Sequence, residues 1–251
     1  LYKWINGDKV AQPTFDDLDQ AIDFVKQLYS LSQKIDGNNV DRASEACLSA
    51  NELVSQIENR LLRLRRRRRH FQELSTFLEY AFEPLWHEVK NKSISLWPLE
   101  CRGNSLPKEK QTLSPSDFGF HNCLKGNDGS LTFLDFDYFG RDDPVKLTAD
   151  FIWHPAMNLS AELKEKWQKA MLVLFSNDNQ YRSRLNAAMP LYGLRWAMIV
   201  LNEFLPDFAK RRREAFGVEN YNLEKSQKIQ LKKAKHYCRN VEAMVSQVTF
   251  V

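Results

Sequence analysis

Apolar positions near the start of the chain change from an alternating to a helical pattern. Residues Leu1–Ile5 alternate as a short strand, and the Asn-Gly-Asp sequence at 6–8 follows as a turn. Thr14 and Asp17 have the spacing of a helix start. The helix that they predict has apolar residues at intervals of three and four, namely Leu18, Ala21, Ile22, Val25, Leu28 and Tyr29. The polar, glycine-containing segment 35–39 is expected to end it.

The same helical periodicity covers most of the remaining chain. A capping pattern at Ser49 and Glu52 opens a helix with one apolar face, formed by Leu53, Ile57, Leu61 and Leu64. Further helices are predicted over Phe71 to about Lys90, Ala161–Phe175 with Ser160 as its cap, Asn186–Leu205 and Leu223–Val248. Residues 91–112 are expected to be a loop-rich connection, because breakers interrupt them at Pro98, Gly103 and Pro107.

One segment in the middle of the chain has a different pattern. Cys123–Lys125 and Leu131–Phe136 flank the turn 126–129, whose sequence is Gly-Asn-Asp-Gly, and this arrangement predicts a β-hairpin. The predicted fold class is therefore mainly α with a small β-hairpin insert.

Composition is typical of a globular domain and limits its setting. The 251 residues are 43% hydrophobic and 27% charged, both near the average for folded domains. The longest apolar runs, Met171–Phe175 and Trp196–Leu201, are far shorter than the roughly 20 residues that span a bilayer, so no membrane partner is expected. The cysteines form no CxxC pair, and reduced thiols in a cytoplasmic protein are the simplest interpretation of Cys47, Cys101, Cys123 and Cys238.

Positive charge is concentrated in the run Arg63–His70, although the net charge of +4 is too small to name a partner. The run favours either contact with a polyanion such as nucleic acid, or a solvated helix face with long stems over apolar neighbours. Consecutive arginines surround a helix, and no interleaved aromatic platform accompanies them, so we favour the solvated face. Lys210–Arg213 is interpreted as a surface turn. Nucleic acid is therefore not an expected partner.

Three polar residues within the segment 113–151 carry the candidate chemistry. Asp117 precedes Asn122 by five positions, and Asp135 follows after the predicted hairpin, which would fold it back beside Asn122. Phosphoryl transfer needs such a set, because one carboxylate must accept the proton of the attacking hydroxyl and magnesium needs hard oxygen ligands. The order and spacing are those of the catalytic and metal loops of protein kinases.

This pattern resembles the aminoglycoside phosphotransferase and choline kinase superfamily, which has the protein-kinase fold. The ordered elements of the family motif are matched by Asp117-x-x-x-x-Asn122, Leu134–Tyr138, Gly140–Pro144 and Asp150-Phe151. The resemblance covers nearly the whole chain and implies a protein-kinase-like C-terminal lobe. The sequence departs from the family at Pro115, where a His usually orients the loop, and at Asp137, which replaces a common Glu.

The resemblance also implies roles for individual residues. Asp117 would be the catalytic base, Asn122 and Asp135 would bind Mg²⁺, and Asp150 would brace the catalytic loop. Residues 1–10 would form the hinge strand between two lobes, where the adenine of ATP is expected to contact Tyr2, Trp4, Leu124 and Leu134. Residues 11–251 would form the helical catalytic and substrate lobe. The N-terminal kinase lobe, with its phosphate-covering loop, is expected upstream of Leu1.

The favoured hypothesis is an ATP- and Mg²⁺-dependent kinase that acts on a hydroxyl of a small molecule, such as a cationic amine or an amino sugar. The alternative is a pseudokinase or binding module that keeps the fold, which Pro115 and the absence of the family's small lobe from these residues motivate. His121 and Asp137 are candidates to contact the substrate or to support the metal ligands, and for His121 we favour a structural role.

Overall fold

The computed structural model describes residues 5–35, 40–216 and 222–247. The segment 36–39 and all but the last residue of the predicted strand Leu1–Ile5 lie outside the described residues. Helices make up most of the described chain. They are α1 Phe15–Ser32, α2 Ala50–Arg65, α3 Gln72–Phe77, α4 Glu83–Leu96, α5 Pro144–Trp153, α6 Ala161–Leu174, α7 Tyr181–Val200, α8 Pro206–Phe216 and α9 Leu223–Gln247. None of the described helices combines the length and apolar content that a bilayer crossing requires.

The strands are short and form two small sheets. They are β1 Asp8–Lys9, β2 Thr112–Ser114, β3 Cys123–Lys125, β4 Leu131–Phe133 and β5 Gly140–Asp142. One sheet has the order β1-β3-β4, with antiparallel pairing of Lys9 with Leu124 and of Leu124 with Thr132. In the other sheet, β2 pairs with β5 in antiparallel register, Leu113 opposite Arg141.

The chain divides into two compact units by its internal contacts. Unit 1 contains residues 1–49 and 98–185, and unit 2 contains residues 50–97 and 186–251. All of the strands above belong to unit 1, together with α1, α5 and α6. The predicted division into a hinge at 1–10 and a lobe at 11–251 stays a prediction.

Helix α1 begins where its sequence predicts. Thr14 Oγ1 accepts a hydrogen bond from the Asp17 backbone N–H at 3.2 Å, and Asp17 Oδ2 accepts one from the Thr14 backbone N–H at 2.9 Å. This reciprocal capping box satisfies two donors that a helix start leaves open. Asp17 also pairs with Lys125 Nζ at 2.7 Å, which connects the start of α1 to β3. The predicted inward face is confirmed, since five of its members are buried: Leu18, Ala21, Ile22, Val25 and Leu28.

In unit 2, the predicted face of α2 is confirmed by the burial of Leu53, Ile57, Leu61 and Leu64. Two other predictions are wrong. Helix α4 continues to Leu96, so residues 91–96 are not loop, because buried Val89 and Ser93 continue the inward face. Lys210–Arg213 lies within α8 and is therefore not a turn. The helix can begin at Pro206, because the first nitrogen of a helix needs no hydrogen-bond partner within it.

The arginine run follows the end of a helix. Helix α2 ends at Arg65, and Arg68–His70 form one short 3₁₀ turn. The expectation that the whole run lies on the surface of one helix is therefore wrong. Arg66, Arg68 and Arg69 are exposed, as a solvated segment should be. Within the same unit, Arg65 Nε pairs with Glu83 Oε1 at 2.8 Å.

Aromatic rings in unit 1 pack beneath the loop that follows β2. Phe118 of this loop lies between Phe133 of β4 and Phe151 of α5, with ring centroids 4.8 and 5.6 Å away. Phe151 in turn stacks on Trp167 of α6 at 3.8 Å. Such contacts add geometric preference to the burial of large apolar rings. Phe118 therefore anchors the loop on β4 and α5, and the Phe151–Trp167 stack extends this packing to α6.

Candidate functional site

The candidate site is built on residues 115–122, which we call the catalytic loop. Phe118 and Phe120 are buried, and the Phe120 ring meets Phe151 edge-on at 5.4 Å. Asp117 and His121 are only partly covered, with side chains 43% and 14% exposed. The loop therefore turns its aromatic residues inward and leaves a carboxylate and an imidazole at the surface.

Both carboxylate oxygens of Asp117 accept hydrogen bonds. His121 Nε2 lies 3.0 Å from Oδ1, and Asn122 Nδ2 lies 3.3 Å from Oδ2 and 2.9 Å from the Asp117 backbone oxygen. Burial alone would raise the pKa of Asp117, but His121, His154 and Asn122 together lower it below its ordinary value. Asp117 is therefore ionised at neutral pH and held in one orientation, as a proton acceptor must be.

His154, which the sequence analysis did not single out, lies beside Asp117. Its ring stacks on His121 with centroids 3.7 Å apart and an interplanar angle of 12°, and its Nε2 is 3.8 Å from Asp117 Oδ1. Burial and His121 lower the pKa of His154 to about 4, so the ring is neutral at pH 7. A sequence signal existed, because His154 follows Asp150 by four residues and therefore falls on the same helical face.

Lys146 of α5 contacts the catalytic loop from the interior. Its side chain is 1% exposed, and Nζ donates to Ser116 Oγ at 3.1 Å. The same ammonium lies 3.2 Å from Asp142 Oδ2 and 3.4 Å from Asp150 Oδ2. Burial raises the pKa of Asp142 to about 6, although Lys146 opposes this change. Asp150, predicted to brace the loop, thus pairs with a lysine that contacts the residue before Asp117.

These contacts bear on Pro115, which stands where the family usually has an orienting His. Asp117 is instead oriented by His121 and Asn122, both of which follow it in the loop. The neighbouring Ser116 adopts a positive φ of 68° and donates to the Ser44 backbone oxygen at 2.8 Å. Strained backbone of this kind persists where surrounding contacts over-determine it. The loop geometry therefore does not depend on a histidine at position 115.

The two predicted metal ligands come from adjacent segments. The Leu134 backbone N–H donates to the Asn122 backbone oxygen at 2.9 Å, which places the residue before Asp135 against Asn122. Asp135 is exposed, has a φ of 62°, and forms no hydrogen bond or ion pair with any residue in the described ranges. Asn122 uses its amide nitrogen toward Asp117, and its amide oxygen is the atom that a hard cation prefers. The two residues offer oxygen ligands of the type that Mg²⁺ takes, and Asp137 nearby in sequence is also exposed.

A second group of potential ligands is Asp117, His121 and His154, whose ligand atoms lie within 4.8 Å of one another. His154 Nδ1 accepts a hydrogen bond from the Ala156 backbone N–H at 3.3 Å, so Nε2 carries the proton of the neutral ring. A histidine binds a metal ion through an unprotonated nitrogen, with the ion in the plane of the ring. The rings of His121 and His154 are nearly parallel and 3.7 Å apart, so one ion cannot lie in the planes of both. This group is therefore organised as hydrogen-bond donors around a carboxylate.

The predicted adenine contacts are only partly within the described residues. Tyr2 and Trp4 lie outside them, while Leu124 and Leu134 are each partly exposed. Gly7 approaches β3 so closely that a Cβ there would lie 2.9 Å from the Lys125 backbone oxygen. This contact requires glycine immediately before β1, and it places the start of the described chain against Leu124.

Comparison with known proteins identifies the fold. No protein-family model and no curated protein matches the chain. A spectinomycin phosphotransferase, solved with ADP and spectinomycin, aligns with a TM-score of 0.55 and 14% identity over 95% of this chain and 70% of its own. Choline kinase from Cryptosporidium parvum Iowa II aligns with a TM-score of 0.53 and 10% identity over 98% of this chain and 72% of its own. Plasmodium vivax ethanolamine kinase aligns with a TM-score of 0.50 and 13% identity over 92% of this chain and 63% of its own.

At these identities the likeness establishes the fold. The chain has the fold of this spectinomycin phosphotransferase and this choline kinase, which is the fold that the resemblance of its motif implied. It spans 63% of the length of the ethanolamine kinase, and somewhat more of the other two.

Proposed function

We propose that this protein is an ATP- and Mg²⁺-dependent phosphotransferase that acts on a hydroxyl group of a small molecule. The observation that carries the proposal is the state of Asp117, a partly exposed, ionised carboxylate oriented by His121 and Asn122. Such a group can accept a proton from an alcohol at neutral pH. The fold supports the proposal, because its solved neighbours are named as phosphotransferases and kinases.

In the proposed reaction, the acceptor hydroxyl forms a bond to the γ-phosphorus while its proton passes to Asp117. The bond between the γ-phosphorus and the bridging oxygen of ATP breaks, and its electron pair leaves with ADP. Asn122 and Asp135 would hold Mg²⁺, which supplies positive charge to the phosphate oxygens. Their role in metal binding is part of the proposal, as is the placement of adenine near Tyr2, Trp4, Leu124 and Leu134.

The proposed acceptor class is a small hydroxyl-bearing amine or an amino sugar. Two of the neighbours are named for ethanolamine and choline, which are small alcohols that carry a cationic nitrogen. A third was solved with spectinomycin. A cytoplasmic location belongs to the same proposal, and the four buried cysteines, which form no disulfide within the described residues, are consistent with it.

The test is ATP consumption by the full-length protein in a screen of such alcohols, for the wild type and Asp117→Ala. We expect the variant to lose about 10²- to 10⁴-fold in turnover, since it lacks the proton acceptor, but to retain nucleotide binding. Asp23→Ala, which removes an exposed α1 carboxylate that pairs with Lys26 of the same helix, is the matched control. Unchanged turnover in Asp117→Ala would refute the assignment. Nucleotide binding without turnover of any acceptor by the wild type would favour a pseudokinase instead.

A further inference from the structure

His154 occupies a defined position at the edge of the catalytic loop. It follows the last residue of α5, and its backbone N–H donates to the Asp150 backbone oxygen at 2.8 Å, so the helix holds its Cα in place. Its ring is 14% exposed and lies parallel to His121. The end of α5 therefore fixes the backbone of His154, and His121 of the catalytic loop packs against one face of its ring.

The hydrogen-bonding state of His154 follows from its neighbours. Nδ1 accepts from the Ala156 backbone N–H, which leaves the ring proton of the neutral form on Nε2. Nε2 is also the atom nearest to the base, 3.8 Å from Asp117 Oδ1. His154 thus presents an N–H group on the side of Asp117.

The distance between these two atoms leaves room for one bridging oxygen. A separation of 3.8 Å is too long for a direct hydrogen bond. An oxygen at about 2.7 Å from the carboxylate and about 2.9 Å from the ring nitrogen would contact both at ordinary hydrogen-bond lengths. An alcohol suits this position, because it donates its proton to the carboxylate and accepts the N–H through a lone pair.

His121 does not offer the same opportunity. Its Nε2 already contacts Asp117 Oδ1 at 3.0 Å, and its Nδ1 is buried with no hydrogen-bond partner among the described residues. His121 therefore orients the base. His154 Nε2 lies 3.8 Å from the same carboxylate oxygen, a gap that one further oxygen atom can bridge.

We propose that His154 is a catalytic residue that donates a hydrogen bond from Nε2–H to the oxygen of the acceptor hydroxyl while Asp117 accepts its proton. The inference rests on the proposed function and extends it to a residue outside the motif. In the step, one lone pair of the hydroxyl oxygen attacks the γ-phosphorus and the other accepts from His154, whose proton stays on Nε2. His154 thereby orients the nucleophile, which is the kind of positioning that speeds transfer.

Two substitutions separate this role from a structural one. His154→Phe keeps a flat ring to stack on His121 but has no N–H, whereas His154→Gln loses the ring but can place an amide N–H near the position of Nε2. We expect His154→Phe to lower kcat roughly 10- to 100-fold with little change in the KM for ATP, and His154→Gln to recover part of the loss. If the stacked ring were what matters, the order of the two variants would be reversed.

A second measurement does not depend on turnover. Long-range ¹H–¹⁵N spectra of the histidine rings in the wild-type protein should show His154 as the Nε2–H tautomer. The Nδ1–H tautomer would overturn the inference, as would wild-type kcat in a folded His154→Phe protein, while Asp117→Ala remained inactive. Absence of turnover in the wild type with every acceptor would overturn the proposed function and this inference together. The two failures are therefore distinguishable.

Discussion

The arrangement around Asp117 is decided residue by residue. Asn122 and His121 each supply one donor to its carboxylate, and both lie within the next five positions of the chain. A base held from its own loop needs no histidine before it, which is why Pro115 is compatible with an oriented carboxylate. His154 is neutral at pH 7. A positively charged imidazole beside Asp117 would repel a metal cation bound nearby, and the neutral ring avoids this repulsion.

At this scale we predict that the contribution of His154 to protein stability falls as the pH decreases from about 6.5 to about 4. His154 is protonated in the unfolded chain below pH 6.5 but in the folded protein only below about 4. Its pKa is lowered on folding, so its contribution is present above the unfolded pKa and is lost on acidification, by roughly 3 kcal/mol in total. The groups that face the ring are His121, Asp117 and Asp150.

The measurement is the difference in unfolding free energy between the wild type and His154→Gln across this range. Asp142 acts in the opposite direction, since its raised pKa favours the folded state at low pH. Because both proteins contain Asp142, its contribution cancels in the difference. A pH-independent difference would show that His154 does not titrate abnormally.

At the level of elements, α5 connects the site to the interior of unit 1. Lys146, Asp150 and His154 follow one another at intervals of four and contact the catalytic loop or each other from one side of the helix. The start of α5 is fixed by Asp143, whose Oδ1 accepts from the Val145 backbone N–H at 2.9 Å. Asp143 is held in turn by Arg184 at the start of α7.

We predict that Arg184→Met destabilises the protein by about 3–5 kcal/mol, because it removes the ion-pair partner of the buried Asp143 and one of two cations beside Asp178. Arg184 is 1% exposed and contacts Asp143 through two nitrogens, at 3.0 and 3.1 Å, and Asp178 at 2.6 Å. The measurement is the free energy of unfolding by denaturant. Arg182→Met, at an exposed position of the same helix, is the control and should change stability by less than about 0.5 kcal/mol. Equal effects would mean that the buried pairs contribute little.

For the molecule as a whole, the fold and the candidate site lead to an expectation about ligands. The solved neighbours are kinases and phosphotransferases, and the oxygen atoms of Asn122 and Asp135 are the proposed Mg²⁺ ligands. Any ligand that binds only the folded state stabilises it by mass action. Nucleotide and metal should therefore stabilise the protein together more than either does alone.

We predict that Mg²⁺ with ATP, at about one hundred times the dissociation constant, raises the unfolding free energy by about 2.7 kcal/mol. Removing Mg²⁺ with a chelator should abolish most of this increase. Asp135→Ala, which removes a proposed metal-binding carboxylate, should do the same. The measurement is thermal or denaturant unfolding with and without each component, and Asp23→Ala serves as the control that keeps the increase. An undiminished increase in Asp135→Ala would show that Asp135 does not hold the metal.

Local interactions made part of this protein predictable from its sequence. The capping box at Thr14 and the apolar face of α2 depend on residues three or four positions apart, and both are present in the structure. The ordered motif from Asp117 to Asp150 likewise indicated the fold, because its spacing is itself the signal. Sequence reasoning was wrong about the end of α4 and about Lys210–Arg213, where polar residues continue helices that buried neighbours stabilise.

The sequence by itself thus determined most of the helices, the order of the motif and the identity of the candidate base. Only the tertiary structure decided what surrounds that base. His154 and Lys146 lie about thirty positions from the loop that they contact, and nothing in local spacing brings them to it. They arrive there because Phe118 and Phe151 pack together and place α5 beneath the loop. Packing of distant apolar residues, which no short-range pattern encodes, therefore completed the site.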